Sequence, residues 1–71
     1  MSSQEFSKTM EYIIQAMREK GYNPYQQLRG YLLANEPGYI TRHKNVRARI
    51  VELDSEQVRK YIEEVKNETV I

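Results

Sequence analysis

The sequence predicts an all-α fold, a compact bundle of about four short helices, and three observations carry that reading. Apolar residues recur at three- and four-residue spacing within separate stretches, as a helix with one buried face requires. All three glycines and both prolines fall between Lys20 and Tyr39, so helix punctuation is concentrated where one apolar stretch gives way to the next. Nowhere does the chain show strand-length alternation, an internal repeat or a low-complexity linker.

The first helix is expected over about 4–20. Ser2 and Glu5 have capping-box spacing, and Phe6, Met10, Ile13, Ile14 and Met17 share one face. Arg18 and Lys20 suit the negative end of the helix dipole. Ser3, Ser7 and Thr9 are conceivable modification sites, but hydroxyls are ordinary in a first turn, where they cap. Gly21 closes this helix because it alone lacks the Cβ that disfavours a left-handed backbone.

Asn23-Pro24 then reads as an N-cap followed by proline at the first helical position, opening a second helix over 24–34. Gln26 stands where its amide can return to the Asn23 N–H. Tyr25, Leu28, Tyr31 and Leu32 form the apolar stripe, and Leu33 widens it. Gly30 costs a mid-helix position up to about 1 kcal/mol against alanine, so it needs a reason. The expected reason is close approach of another helix, one from a second copy of the chain included; a ligand approaching the backbone is the sharper alternative. Asn35-Glu36-Pro37-Gly38 ends the helix, since a residue before proline is pushed out of the α region.

After Tyr39-Ile40 the stretch Thr41–Arg49, TRHKNVRAR, holds four cations and no acid. A third helix is expected over about 42–52, starting in this stretch or by Asn45, with Val46, Ile50 and Leu53 inward. Arg42, Lys44 and Arg47 would fan over one edge of it, Arg49 lying off that row. Asp54 caps a fourth helix over about 55–66, with Gln57 third in the helix and Leu53 and Val58 placed as a hydrophobic staple. Val58, Tyr61, Ile62 and Val65 give its buried stripe, and Glu56 with Lys60 an exposed i, i+4 pair. Residues 67–71 are expected to fray.

A chain of 71 residues makes one domain and buries only roughly 60% of its unfolded surface, so a private core is marginal. With no cysteine there is neither a disulfide nor a thiolate metal site, which leaves helix packing and oligomerisation as sources of stability. A homodimer is expected, its interface using Tyr25, Gly30 and Tyr31. A net charge of +1 gives no general attraction to nucleic acid or acidic membranes. No apolar run approaches the ~20 residues of a membrane span, and no signal-peptide pattern heads the chain. A cytoplasmic location without membrane insertion is the expectation.

The inventory does not fit an enzyme. His43 is the single histidine, with no cysteine and no paired carboxylate, so it has neither ligand count for zinc nor a nucleophile to activate. Glu63 and Glu64 point about a quarter-turn apart and make a poor acid–base pair. No phosphate-cradling glycine loop appears, and no cofactor or small-molecule substrate is expected. Three readings remain for Arg42, Lys44, Arg47 and Arg49: contact with a protein partner, contact with nucleic acid in the manner of a small helix-turn-helix protein, or a solvated face of the third helix that pairs with Glu52 or the acidic fourth helix. Four cations release few counterions, and Glu52–Glu68 carries six acids against three bases, which disfavours nucleic acid.

Lys20–Tyr39 with the residue after it, KGYNPYQQLRGYLLANEPGYI, resembles the IreB family of small bacterial regulatory proteins, whose members carry KGYNPxxQxxGYLLxxxPxYI and then a basic segment. The resemblance runs from Lys20 to about Ile50. It implies a non-catalytic, cytoplasmic, homodimeric regulator that acts through protein contacts, downstream of a membrane Ser/Thr kinase in an envelope-stress pathway. Glu36 and Gly38 stand where the family has Asp and Ala. The opening MSSQEFSKTM holds no threonine pair of the kind that such a kinase modifies.

Overall fold

A computed structural model describes residues 3–69, which form four α-helices: α1 (Ser3–Glu19), α2 (Pro24–Ala34), α3 (Val46–Val51) and α4 (Ser55–Thr69). Helix α1 packs against α2 and α3, and α2 packs against α4. The expected capping box at Ser2 lies outside the described residues.

Helix α1 ends one residue before its expected boundary, for a local reason. Gly21 takes φ +81°, its N–H donates to the Arg18 carbonyl (2.9 Å), and the Tyr22 N–H reaches the Met17 carbonyl (3.0 Å). This crossed pair satisfies carbonyls that the helix end leaves free, and it places Lys20 outside the last regular turn. Asn23 caps α2 through Oδ1, which accepts from the N–H groups of Tyr25 (3.1 Å) and Gln26 (3.2 Å). At the far end Asn35 is itself left-handed (φ 53°) and donates to the Tyr31 carbonyl. Glu36 is extended, as the residue before a proline must be, and Pro37–Tyr39 make one 3-10 turn.

The third helix departs most from expectation. It begins at Val46 rather than Arg42, because Lys44 (φ 54°) and Asn45 (φ 64°) are both left-handed and break the helical path. His43–Asn45 form a tight turn closed by the Asn45 N–H on the Arg42 carbonyl (3.0 Å). Helix α4 in turn continues to Thr69, past its expected end at residue 66, since no glycine or proline stops it. The Glu56 N–H donates to Asp54 Oδ1 (2.8 Å), which makes Asp54 the cap. Glu56 pairs with Arg59 one turn on, in place of the expected Lys60. Asp54→Ala should lower stability by ~1 kcal/mol in urea melts. An unchanged midpoint would mean that the helix start draws nothing from this side chain.

One core joins all four helices. Met10, Ile13, Ala16 and Met17 meet Leu28 and Tyr31, then Ile40, Val46, Ile50, Leu53, Val58 and Ile62. Phe6, Ile14, Tyr25, Leu32 and Tyr61 flank it, and the Phe6 and Tyr61 rings meet edge-on at 6.0 Å. Both staple residues, Leu53 and Val58, are buried. Leu33 is not part of the stripe it was assigned to: it is 83% exposed. Ile40, which no predicted stripe includes, is 1% exposed. The side chain of Val65 lies outside the described residues.

Candidate functional site: the basic segment

The structure first accounts for most of the distinctive residues between Lys20 and Ile40. A Cβ at Gly30 would stand 3.1 Å from Cδ1 of Tyr39, so the close approach that the glycine permits comes from a ring of the same chain. Neither a second copy nor a ligand is needed to explain it. Gln27 Oε1 accepts from the Thr41 N–H (3.1 Å) and ties α2 to the start of the basic segment. Tyr31 is 6% exposed and belongs to the protomer's own core, while Tyr25 is half-buried against it. Leu33, and Tyr22 at 46% exposure, are left facing solvent.

The three cations expected to fan over one edge, Arg42, Lys44 and Arg47, are split. Lys44 Nζ lies 2.8 and 3.0 Å from the two carboxylate oxygens of Glu19 on α1, and His43 Nε2 lies 3.6 Å from the same group. The Tyr12 hydroxyl donates to the Lys44 carbonyl (2.9 Å), and the Arg49 guanidinium stacks on the Tyr12 ring at 4.4 Å. These contacts bind the left-handed pair to α1 and offset a backbone cost of about 1 kcal/mol or more per residue. Lys44 and Arg49 are thus engaged within the chain. Tyr12 and Glu19 stand 32 and 25 residues from their partner, a distance at which no local pattern signals a contact.

Arg42 and Arg47 turn the other way. Arg47 Nε donates to the Ile40 carbonyl (2.9 Å), which fixes the guanidinium and leaves its terminal amino groups without a partner among the described residues. The Arg42 side chain is exposed and, among the described residues, makes no hydrogen bond or ion pair. The two line an open cleft of about 440 Å³ together with Pro37, Asn45, Ala48 and Val51. Two cations and apolar walls, with no acid among the lining residues, make a surface that can hold an anionic group beside an apolar one.

The hydrogen bond from Lys44 is the main cause that holds the Glu19 carboxyl below the usual 4.5; desolvation opposes it, and the Lys44 charge and then His43 add smaller lowering effects. The same bond raises Lys44 above 10.5. A depressed carboxyl favours the fold above 4.5 and loses that contribution as pH falls through its folded value. A carbon-detected NMR titration should therefore find the Glu19 midpoint below 4.5 and see it move back up in Lys44→Met. A midpoint indifferent to that substitution would mean that the pair does not persist in solution.

Among the described residues no cluster of three histidine, cysteine or carboxylate side chains could hold a metal ion, and no helix is long and apolar enough to cross a membrane. A UPF0297 protein of Clostridioides difficile (strain 630) is 44% identical over 50 residues. The match covers 70% of this chain, and the chain spans 59% of that relative's length. The profile of the family described as IreB regulatory phosphoprotein matches residues 1–68, nearly the whole sequence, including the Gly-Tyr-Asn-Pro and Gly-Tyr-Leu-Leu elements and the basic segment. This chain belongs to the IreB family.

Proposed function

We propose that the protein is a non-catalytic regulator of the cytoplasm that works by binding another protein, within a pathway linked to a Ser/Thr kinase. Membership of a family described as a regulatory phosphoprotein is the observation that carries this reading. The basic segment supports it, since it presents the Arg42 guanidinium and the terminal amino groups of Arg47 beside apolar surface. Capture from native cytoplasm with a crosslinker placed at residue 45 should retain a specific protein. Recovery of nucleic acid alone would overturn the reading.

The regulator also acts as a homodimer in this reading, through a face of α2 other than the one expected. Tyr31 and Gly30 are occupied within the protomer, whereas Leu33 projects beside a groove of about 240 Å³ lined by Arg29, Leu32, Arg59, Ile62 and Glu63. A projecting leucine next to an apolar groove is self-complementary under a two-fold axis, and Arg29 of one copy would meet Glu63 of the other. Sedimentation should give twice the 8.5 kDa of the chain, and Leu33→Glu should shift it to monomer. A monomer in both cases removes the dimer, and a dimer in both moves its interface.

A further inference from the structure

The cleft beside α3 carries a statement about the partner's chemistry, and it rests on the reading that this protein binds another through its basic segment. Its residues divide sharply into two kinds. Arg42 and Arg47 supply guanidinium donors, and Pro37, Ala48 and Val51 supply apolar wall, Val51 being 47% exposed. Asn45 stands between them at the left-handed turn. No carboxylate is among the lining residues, so a bound anion would meet no repulsion from the cleft itself.

The remaining cations of the segment are not among the residues that line the cleft. Lys44 is neutralised by Glu19, and Arg49 lies over Tyr12. The site is therefore a small two-arginine fork, not a basic track of the kind that follows a nucleic-acid backbone. A phosphate backbone needs many cations spread along its length, because its affinity comes from the counterions that each one releases. One of the two guanidiniums is also pre-set, since Arg47 Nε is spent on the Ile40 carbonyl and Ile40 is a core residue. Arg47, held in this way, loses little freedom on binding, and the planar donors of an arginine match a carboxylate in two-point fashion.

The apolar walls decide between anions. A dianionic phosphate loses more solvation beside Ala48 and Val51 than a singly charged carboxylate does. A carboxylate side chain next to an apolar one, on a segment of a partner protein, satisfies both halves of the cleft. We propose that the Arg42–Arg47 cleft docks an acidic segment of a partner protein, with an aspartate or glutamate on the arginine fork and a neighbouring apolar side chain against Pro37, Ala48 and Val51.

The test uses the full chain, immobilised for selection against a random-peptide library, with enriched peptides then titrated into labelled protein by NMR. Enriched peptides should pair Asp or Glu with a large apolar residue, and amide shifts should centre on residues 42–51. Arg42→Gln and Val51→Glu should each weaken binding by about tenfold or more, the loss expected for a charged hydrogen bond and for a like charge placed in the wall. Lys60→Gln removes equal charge on α4 and should leave affinity unchanged. Arg42→Gln lies on the surface, and an unchanged thermal melt separates lost binding from lost folding. Peptides without acids, equal loss in Lys60→Gln, preference for phosphoserine over glutamate at the same position, or tighter binding of single-stranded oligonucleotides would each overturn the proposal. A protein captured from cytoplasm whose binding survives Arg42→Gln would leave the regulatory reading standing and remove this cleft from it. Acidic peptides held in the cleft, with no protein captured, would do the reverse.

Discussion

Ile40→Ala is expected to be among the most damaging single changes in this protein, costing about 2–4 kcal/mol. Ile40 lies in no helix, yet it is 1% exposed and joins the cluster that holds Met17, Leu28 and Ile50. Removing its outer carbons loses their transfer energy and leaves a cavity, because the surrounding packing relaxes only partly into the space. The Ile40 carbonyl also anchors Arg47, so a backbone shift there would loosen the cleft. At roughly 0.05–0.15 kcal/mol per residue, a chain of this length holds on the order of 4–11 kcal/mol in total. The substitution should lower the thermal midpoint by roughly 10–30 °C. A shift under a few degrees would mean that Ile40 is a lid on the core and not part of it.

Gly30→Leu should cost about 1–3 kcal/mol, for a reason internal to the protomer. A Cβ alone would come to 3.1 Å from the Tyr39 ring, and the added carbons of leucine would drive that ring off α2. Tyr39 is 55% exposed and free to yield a few tenths of an ångström, so Gly30→Ala should be neutral or slightly stabilising. There the helix gain of up to ~1 kcal/mol offsets the tight contact. The decisive comparison is Gly30→Leu in a Tyr39→Ala background, where the space is vacant. There the leucine should cost little or even stabilise. An equal cost in both backgrounds, measured by urea melts, would show that something other than Tyr39 occupies the space over Gly30.

The punctuation of this fold was legible because each signal acts within a few residues. Gly21, Asn23, Asn35 and Asp54 do in the structure what their types predict, since caps are settled by the backbone next to them. The stripes on α1, α2 and α4 were legible for a similar reason, as a three- and four-residue period marks one face. Leu33 shows where that argument stops. It falls on the edge of the stripe, and only the position of α4 decides that Leu32 is covered and Leu33 is not.

The basic segment divides in the same way. Its charge, and its place beside the Gly-Tyr-Leu-Leu helix, are properties of the sequence alone. Its shape is not. Residues 42–45 have ordinary helical neighbours and no breaker, so the local reading extends α3 back to Arg42. What unwinds the segment is contact with α1, through Tyr12 on the Lys44 carbonyl and Glu19 on the Lys44 amine. A left-handed lysine costs about 1 kcal/mol or more, and such a conformation persists only where distant groups hold it. The sequence therefore determined four helices, their caps and a run of four cations. Tertiary packing decided that two of those cations would be spent on α1 and two left open on a cleft, because the contacts that sort them join residues 7–37 positions apart.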